Sequence, residues 1–280
     1  MRWTTLISVE ELAETIDRCV VIDVRHDLMA PGAGRVAYDE AHIPGAFFLG
    51  QETDLSGAKN GRNGRHPLPD RDALAARLSA MGLGPGRQLV AYDAQNGMFA
   101  SRLWWLARWL GHDEVAVLDG GIEAWKKAGF PVSQEVPAPR DGGISASAPR
   151  MPAVDATTLM AGIGTRRQLI VDARAPERYR GETEPLDPVA GHIPGAVNRP
   201  VQLNVRPDGR FKPGPVLRQE FEALLGSRAP SELVHSCGSG ISACHNLLAM
   251  EFAGLSGSAL YPGSWSEWCA DPARPVATGG

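Results

Sequence analysis

The residue best suited to covalent chemistry in this sequence is Cys237, which lies between a short apolar run and a helical pattern. The residues that follow it are mostly small: Gly238, Ser239, Gly240, Ile241 and Ser242. Two glycines allow a tight turn whose backbone N–H groups point inward, and the next helix adds the positive end of its dipole. Both effects favour an anion, so the pattern predicts a nucleophilic thiolate at Cys237. The same loop suits a larger sulfur anion, such as a persulfide.

The remaining cysteines favour structural roles. Cys244 falls inside the helix that follows the loop. Seven residues of helix span about 10 Å, which exceeds the ~7 Å Cα separation that a disulfide tolerates. Cys19 precedes a strand and Cys269 follows two tryptophans, and both positions favour a cysteine packed in the core. The sequence contains no C-x-x-C pair, so the cysteines do not indicate a zinc site. Cys237 is therefore the predicted reactive thiol.

The elements that position Cys237 belong to a unit that occurs twice along the chain. Three blocks of the first half recur in the same order in the second: Val20–Arg25 with Leu169–Arg174, His42–Ala46 with His192–Ala196, and Leu118–Gly121 with Leu260–Gly263. This order predicts a duplicated domain. Aligning the strands that precede the two loops places Asp93 opposite Cys237, so only the second half carries the thiol. Residues that both halves share, such as His42 and His192, are interpreted as scaffold.

Each half alternates short apolar runs with amphipathic segments. The predicted strands are Val20–Asp23, Phe47–Leu49, Leu89–Tyr92, Val115–Leu118, Leu169–Asp172, Leu233–Ser236 and Ala259–Tyr261. The predicted helices are Glu10–Ile16, Asp70–Met81, Phe99–Leu110, Ala156–Ala161, Arg218–Leu225 and Ile241–Phe252. A capping box at Ser8 opens the first of them. This alternation predicts an α/β fold in which each domain has a mainly parallel central sheet flanked by helices. Ligands bind beyond the carboxyl ends of the strands in such sheets.

A proline-rich stretch between the halves sets the predicted domain boundaries. Gln134–Ala153 combines prolines and glycines with small residues, a composition typical of interdomain linkers. We therefore predict a non-catalytic domain over 1–136, a linker over 137–152 and a catalytic domain over 153–280.

Composition limits the classes of function. The chain has 280 residues, of which 43% are hydrophobic and 21% are charged, and its net charge is -4. That profile is typical of a globular protein with two domains. A pI near 6.0 gives no general attraction to nucleic acid or to an anionic membrane. No apolar run approaches the ~20 residues of a membrane span, and Glu10 and Glu11 come too early for a signal sequence. We therefore expect a cytoplasmic location.

Together these features resemble the rhodanese-like sulfurtransferases. The resemblance covers essentially the whole chain and includes both Asp-x-Arg strands, both HIPGA turns, the CGSGISAC loop and the PGSWSEW segment at Pro262–Trp268. The CGSG start of the loop is similar to that of 3-mercaptopyruvate sulfurtransferases. The resemblance implies that Cys237 takes sulfur from an anionic donor, holds it as a persulfide and passes it to a thiol, a thioredoxin-like protein or cyanide. It implies neither a metal nor an organic cofactor.

The resemblance also implies roles for side chains outside the loop. Arg178 matches the arginine that the family places beside the substrate, where a guanidinium can bind a carboxylate through two hydrogen bonds. A second arginine of the mercaptopyruvate enzymes falls at Asp187 here, so Arg180 or another cation would have to replace it. These enzymes also relay a proton near the sulfur, and the matching residues are Asp54, His66 and Ser239.

Three alternatives use the same loop differently. A thiosulfate:cyanide sulfurtransferase has the same nucleophile and another donor, but enzymes that prefer thiosulfate tend to carry basic residues at the positions of Gly238 and Ser239. A cysteine-dependent phosphatase usually has an arginine six residues after its cysteine, where this chain has Ala243. A non-catalytic sulfur carrier or interaction module would load sulfur on Cys237 stoichiometrically and turn over poorly.

Overall fold

Short parallel strands form the centre of each half of the chain. The computed structural model describes residues 2–165 and 167–280. In the first half the strands are β1 (Leu6–Ile7), β2 (Cys19–Asp23), β3 (Phe47–Phe48), β4 (Gln88–Tyr92) and β5 (Val115–Leu118). They form one sheet in the order β1-β5-β4-β2-β3, and each neighbouring pair is parallel.

The helices of the first half are α1 (Val9–Thr15), α2 (Ala33–Glu40), α3 (Arg71–Ser79), α4 (Ala100–Trp109) and α5 (Gly121–Lys127). The predicted capping box is confirmed, because the Ser8 hydroxyl accepts the Glu11 N–H and the Glu11 carboxylate accepts the Ser8 N–H. Every residue of β2 and β4 is buried. Burial on both faces of the sheet explains why these strands are continuous apolar runs.

The second half repeats the design with a smaller sheet. Its strands are β6 (Leu169–Asp172), β7 (Val197–Asn198), β8 (Leu233–Ser236) and β9 (Ala259–Leu260), in the order β7-β6-β8-β9 and again parallel. Its helices are α6 (Ala156–Gly162), α7 (Pro176–Tyr179), α8 (Gly214–Leu225), α9 (Ser242–Phe252) and α10 (Ser264–Trp268). The predicted α/β class is confirmed. Among the described residues, no helix has the length and apolar character needed to cross a bilayer.

The elements that the sequence did not predict are mostly short. β1 and β7 have two residues each, too few to show an apolar period. α7 has four residues and begins at a proline. α2 lacks a side-chain cap and follows Pro31 and Gly32, which look like a turn in sequence. These segments gain their structure from contacts with the rest of the fold, which local propensity does not report.

The described chain divides into two compact units that are not simple halves. Unit 1 contains Met1–Gly57, Pro69–Arg150 and Arg206–Phe211, and unit 2 contains Ala58–Leu68, Met151–Val205 and Lys212–Gly280. In unit 1, the Phe211 N–H donates to the Asp119 carboxylate at 2.8 Å. In unit 2, the Ala58–Leu68 segment supplies Arg65 and His66, which are described with the site below. The domain boundaries at 1–136, 137–152 and 153–280 stay predictions.

Matched residues of the two units make matched structural contacts. Arg25 binds the Asp23 carboxylate and the Ala41 carbonyl. Arg174 binds Asp172 and the Gly191 carbonyl in the same way. His42 and His192 lie in the repeated turns, and each contacts a tyrosine backbone carbonyl through Nδ1 at 2.7 Å. These buried contacts connect strand ends to the following turns in both units, which agrees with a scaffold role.

Asp93 fills the loop of unit 1 that corresponds to the Cys237 loop. It follows β4 as Cys237 follows β8. Its carboxylate accepts four backbone N–H groups of its own loop, at 2.8–2.9 Å: those of Gln95, Gly97, Phe99 and Ala100. Asp93 is fully buried, so these bonds replace the water that an ionised carboxylate requires. This strand–loop–helix geometry directs several N–H donors at one buried anion.

Replacing Asp93 with alanine should destabilise unit 1, because four buried N–H donors would lose their acceptor. We expect the free energy of unfolding to fall by about 3 kcal/mol or more, since one unsatisfied buried donor costs roughly 1–3 kcal/mol. Peptide-resolved hydrogen exchange should accelerate over 88–118 and change little over 233–268. The control is Asp113→Ala, which removes an exposed ion pair with Arg150. Equal exchange in the two variants would contradict this role for Asp93.

Candidate active site

The Cys237 thiol lies at the carboxyl end of β8 and is buried, with 1% of the residue exposed. The Gly240 N–H donates to its sulfur at 3.1 Å. The Cys237 backbone is held as well: its carbonyl accepts the Trp265 N–H at 2.9 Å and its N–H donates to the Ser264 hydroxyl at 3.1 Å. The predicted nucleophile is therefore fixed at both the backbone and the side chain.

The loop after Cys237 needs its glycines. Gly240 has φ +78°, and a Cβ placed there would lie 2.2 Å from the Pro262 carbonyl oxygen. A Cβ on Gly238 would lie 2.9 Å from Nη2 of Arg65. Ile241 ends the loop and accepts the Cys244 N–H through its carbonyl at 3.0 Å, and Ser242 is the first residue of α9. The missing side chain of Gly240 lets the loop approach the Pro262 carbonyl, and that of Gly238 leaves room for the Arg65 and Arg178 guanidinium groups.

Ser264 is a residue of the site that the sequence analysis missed. Its hydroxyl oxygen accepts the Cys237 N–H and lies 3.9 Å from the Cys237 sulfur. Ser264 has φ 52° and is one of two described non-glycine residues with positive φ. A non-glycine residue in that conformation costs about 1–3 kcal/mol. The strain is tolerated at a position where the hydroxyl contacts both the backbone and the sulfur of the nucleophile.

The two units show what distinguishes Ser264. The strand pairs Ala91↔Val117 and His235↔Leu260 occupy matching positions before the two loops. This register aligns Ser264 with Gly121, whose φ is 57°. The sequence match of Leu118–Gly121 with Leu260–Gly263 was therefore wrong by one residue, because the short blocks have too few distinctive residues to fix a register. With the correct alignment, the change from glycine to serine is the signal that was available in the sequence.

His66 and Ser239, two of the predicted relay residues, are brought together. His66 Nδ1 lies 2.8 Å from the Ser239 hydroxyl, and both side chains are buried. The neighbouring Arg65 N–H donates to the Ser266 hydroxyl at 3.0 Å, which fastens this segment to α10. Ser239 is the second residue after Cys237, so this contact connects a titratable imidazole to the loop of the predicted nucleophile.

Asp54, the third predicted relay residue, belongs to unit 1. Its Oδ2 accepts the Gly50 N–H at 2.7 Å and the Thr53 hydroxyl at 3.0 Å. Its Oδ1 contacts Arg77 in an ion pair. These contacts close a turn after β3, and the part of Asp54 in a proton relay stays a prediction.

Arg178 lies beside the loop, as the resemblance implies. A Cβ on Gly238 would lie 3.6 Å from each terminal nitrogen of Arg178. Glu184 holds the guanidinium through Nη2 at 2.6 Å and Nε at 3.3 Å. Asp187 is buried and contacts Arg65. Burial raises the pKa of Asp187, and the Arg65 guanidinium partly offsets that rise. Arg180 pairs with the exposed Glu182.

The four cysteines are buried free thiols. Cys244 donates its S–H to the Gly240 carbonyl at 3.3 Å from inside α9. Burial raises the pKa of Cys19 and of Cys269, which keeps both thiols neutral and unreactive. Cys237 lies at the end of β8, and the Gly240 N–H of its own loop donates to its sulfur.

The comparison with known families adds a second line of support. The rhodanese-like domain matches residues 8–128 and 155–271, one copy in each half. The chain belongs to the rhodanese-like family. The chain is 48% identical over 278 residues to the Pseudomonas aeruginosa protein named "Probable 3-mercaptopyruvate sulfurtransferase", with 98% of each chain covered. It is 32% identical over 261 residues to the thiosulfate sulfurtransferase of Cricetulus griseus, with 89% of this chain and 86% of that protein covered.

The fold of this chain is also similar to that of a solved structure. The 3-mercaptopyruvate sulfotransferase of Escherichia coli superposes with a TM-score of 0.77 at 29% identity, covering 94% of this chain and 99% of that chain. The protein is therefore a sulfurtransferase, as predicted. The relatives bear names with two different donors, mercaptopyruvate and thiosulfate.

Ser264→Ala should weaken the site without unfolding the protein. The variant leaves the buried Cys237 N–H without its acceptor, which costs roughly 1–3 kcal/mol. It also removes a hydroxyl that lies 3.9 Å from the sulfur. We expect kcat/KM for sulfur transfer to fall ~10-fold or more. The control is Ser256→Ala, which removes an exposed hydroxyl that binds Glu251. Unchanged kinetics in Ser264→Ala would contradict the role of this hydroxyl.

Proposed function

We propose that this protein takes sulfur from 3-mercaptopyruvate, releases pyruvate, and delivers the sulfur to a thiol or to cyanide through a persulfide on Cys237. The observation that carries the proposal is the buried Cys237 sulfur accepting the Gly240 N–H, next to a guanidinium from Arg178. A buried anion needs such donors to replace water. An anionic donor needs a cation close to the nucleophile.

In the proposed first half-reaction the Cys237 thiolate attacks the donor sulfur, so that an S–S bond forms and the donor C–S bond breaks. Its electron pair passes to the donor carbon and gives the enolate of pyruvate, which takes the proton of the donor thiol. The products are pyruvate and the Cys237 persulfide. The loop amides stabilise the anionic outer sulfur as charge moves onto it.

The second half-reaction restores the thiolate. A cyanide or thiolate acceptor attacks the outer sulfur, the S–S bond breaks, and its electron pair returns to Cys237. The product is thiocyanate or a persulfide of the acceptor thiol. A thioredoxin-like protein fits as the acceptor, because it presents a nucleophilic thiolate. The proposed compartment is the cytoplasm, where cysteines stay reduced.

The hydrogen bond between Ser239 and His66 supports a proton relay in the first half-reaction. Imidazole titrates near neutral pH and can pass a proton through a hydroxyl. The 2.8 Å separation of His66 Nδ1 and Ser239 Oγ is short enough for transfer. In the proposed relay His66 and Ser239 carry the proton of the donor thiol to the enolate carbon. Asp54 is the third residue that the family resemblance implies for this relay.

The choice of mercaptopyruvate over thiosulfate rests on the charges around the loop. Thiosulfate is a dianion, whereas mercaptopyruvate carries one carboxylate. The positions after Cys237 hold Gly238 and Ser239, which add no positive charge. Two carboxylates, Glu184 and Asp187, contact the arginines beside the loop. This balance favours the donor with the lower charge, in agreement with the name of the 48% identical relative.

Cys237→Ser should abolish transfer, because a serine hydroxyl cannot form a persulfide. Thiocyanate formation should fall at least ~10³-fold, and mass spectrometry should no longer detect an added sulfur atom on the protein. The matched control is Cys244→Ser, a buried thiol of the same segment whose S–H faces the Gly240 carbonyl. That variant should stay within about twofold of wild type. An active Cys237→Ser protein would remove the proposed mechanism.

The donor is tested by paired initial rates with 3-mercaptopyruvate and thiosulfate, with cyanide as the common acceptor and thiocyanate as the product measured. We expect a higher kcat/KM for 3-mercaptopyruvate. A higher value for thiosulfate would overturn the proposed donor and leave the persulfide mechanism intact. Stoichiometric sulfur loading without turnover on either donor would instead favour the sulfur-carrier alternative.

Arg178→Ala should lower kcat/KM for 3-mercaptopyruvate ~10- to 100-fold, mainly through KM, because a charge-assisted hydrogen bond contributes roughly 1.5–3 kcal/mol. Arg178→Lys keeps the charge but loses the two-point geometry and should give an intermediate value. The control is Arg218→Ala, which removes an exposed pair with Glu222 in the same unit. A kcat/KM of Arg178→Ala equal to that of the control would eliminate the donor-binding role.

A further inference from the structure

Two guanidinium groups converge on the residue that follows the nucleophile. A Cβ built on Gly238 would lie 2.9 Å from Nη2 of Arg65 and 3.6 Å from both terminal nitrogens of Arg178. Arg65 reaches this position from the Ala58–Leu68 segment of unit 2, where its backbone N–H is fastened to the Ser266 hydroxyl. The space above Gly238 is therefore bordered by N–H donors from two separate arginines.

Both arginines are held by buried acids. Asp187 contacts Arg65 through Oδ1, and its Oδ2 lies 3.5 Å from Arg178 Nη2. Glu184 holds Arg178. The side chains of Asp187 and Glu184 are each 3% exposed, whereas Arg65 is 27% and Arg178 is 18% exposed. The acid side chains thus lie in the interior, and the two arginine side chains are partly accessible to solvent.

We propose that Arg65 is a second donor-binding residue of this enzyme and that Asp187 is the positioning residue that holds it. Arg65 and Arg178 together bind the carboxylate of the donor above Gly238, which orients the donor sulfur toward Cys237. The proposal rests on the proposed function, since it assigns the carboxylate of that donor to two named side chains.

The charge arrangement explains why an acid is useful at position 187. A free arginine side chain has many rotamers, and fixing one of them on binding carries an entropic cost. An ion pair with a buried acid fixes the guanidinium before the donor arrives. Arg65 binds Asp187 through Nη1, while Nη2 is the atom nearest Gly238. One edge of the guanidinium is therefore anchored and the other is presented to the donor.

Arg180, the replacement cation considered from the sequence, differs from Arg65 in its surroundings. It binds Glu182 through Nε and Nη2, and both side chains are exposed. An exposed pair of this kind contributes little to stability or to orientation. Arg180→Ala is therefore a matched control for Arg65→Ala, because both variants remove an arginine paired with an acid in the same unit.

The first experiment compares two donors that differ only in the carboxylate. We would measure kcat/KM of wild type, Arg65→Ala and Arg180→Ala with 3-mercaptopyruvate and with mercaptoacetone, its methyl ketone analogue. Arg65→Ala should lose ~10- to 100-fold with 3-mercaptopyruvate and less than about twofold with mercaptoacetone. Arg180→Ala should match wild type on both. Equal losses on both donors, or no loss with 3-mercaptopyruvate, would overturn the proposal.

Binding without turnover gives a second measurement. In the Cys237→Ser background, calorimetric titration with 3-mercaptopyruvate should show a Kd that rises ~10-fold or more when Arg65 is also replaced by alanine. The additional replacement Arg180→Ala should leave Kd unchanged. A Kd that Arg65→Ala does not alter would contradict direct contact with the donor.

The positioning role of Asp187 is tested by a double-mutant cycle with Arg65. Asp187→Asn removes the charge that holds the Arg65 guanidinium and should lower kcat/KM for 3-mercaptopyruvate. Because Asp187 acts through Arg65, the double variant Arg65→Ala/Asp187→Asn should lose less than about twofold beyond Arg65→Ala alone. Losses that simply add would show that the two side chains do not act as a unit.

Failure of this proposal can be separated from failure of the proposed donor. If wild type prefers thiosulfate, the donor assignment fails. Arg65→Ala is then measured with thiosulfate, and the decrease in kcat/KM reports on Arg65 directly. If wild type prefers 3-mercaptopyruvate and Arg65→Ala retains full kcat/KM, the donor stands and the role of Arg65 fails.

Discussion

The structure depends on backbone N–H groups that point at one buried side-chain acceptor at the carboxyl end of a parallel strand. In unit 1 the acceptor is the Asp93 carboxylate, which accepts four such groups. In unit 2 the corresponding residue is Cys237, whose sulfur accepts the Gly240 N–H. Burial makes these donors important, because a polar group removed from water requires replacement hydrogen bonds. The duplicated fold thus gives the same geometry to a structural carboxylate in one unit and to the predicted nucleophile in the other.

The turn at Pro262–Ser264, which packs against the Cys237 loop, is also constrained in its conformation. The loop approaches the Pro262 carbonyl so closely that Gly240 has no room for a side chain, and Ser264 adopts a left-handed conformation beside Cys237. In unit 1 the matching position is Gly121, which adopts the same conformation without strain. At this matched position, only the unit that holds the thiol carries backbone strain.

Sequence alone predicts the parts of this protein whose signals are local. The α/β class, the longer strands and Cys237 with its loop follow from apolar runs, glycines and the order of elements. The resemblance added His66 and Ser239, which lie 2.8 Å apart. Arg65 and Ser264 were missed because their importance arises from contacts between distant segments. Arg65 contacts Asp187 across 122 residues of sequence. The alignment of the repeated blocks was off by one residue, so it paired Gly121 with Gly263 and not with Ser264.

Each unit includes a segment from the other half of the sequence, which affects how the chain folds during synthesis. Unit 1 includes Arg206–Phe211, and unit 2 includes Ala58–Leu68. A ribosome that has made only the first 150 residues has therefore not yet supplied the last segment of unit 1, whose Phe211 N–H binds Asp119. Folding of the amino-terminal half is completed only after much of the other half has emerged. A gene cut within 137–152 would likewise separate Cys237 from His66, so neither fragment would encode a whole site.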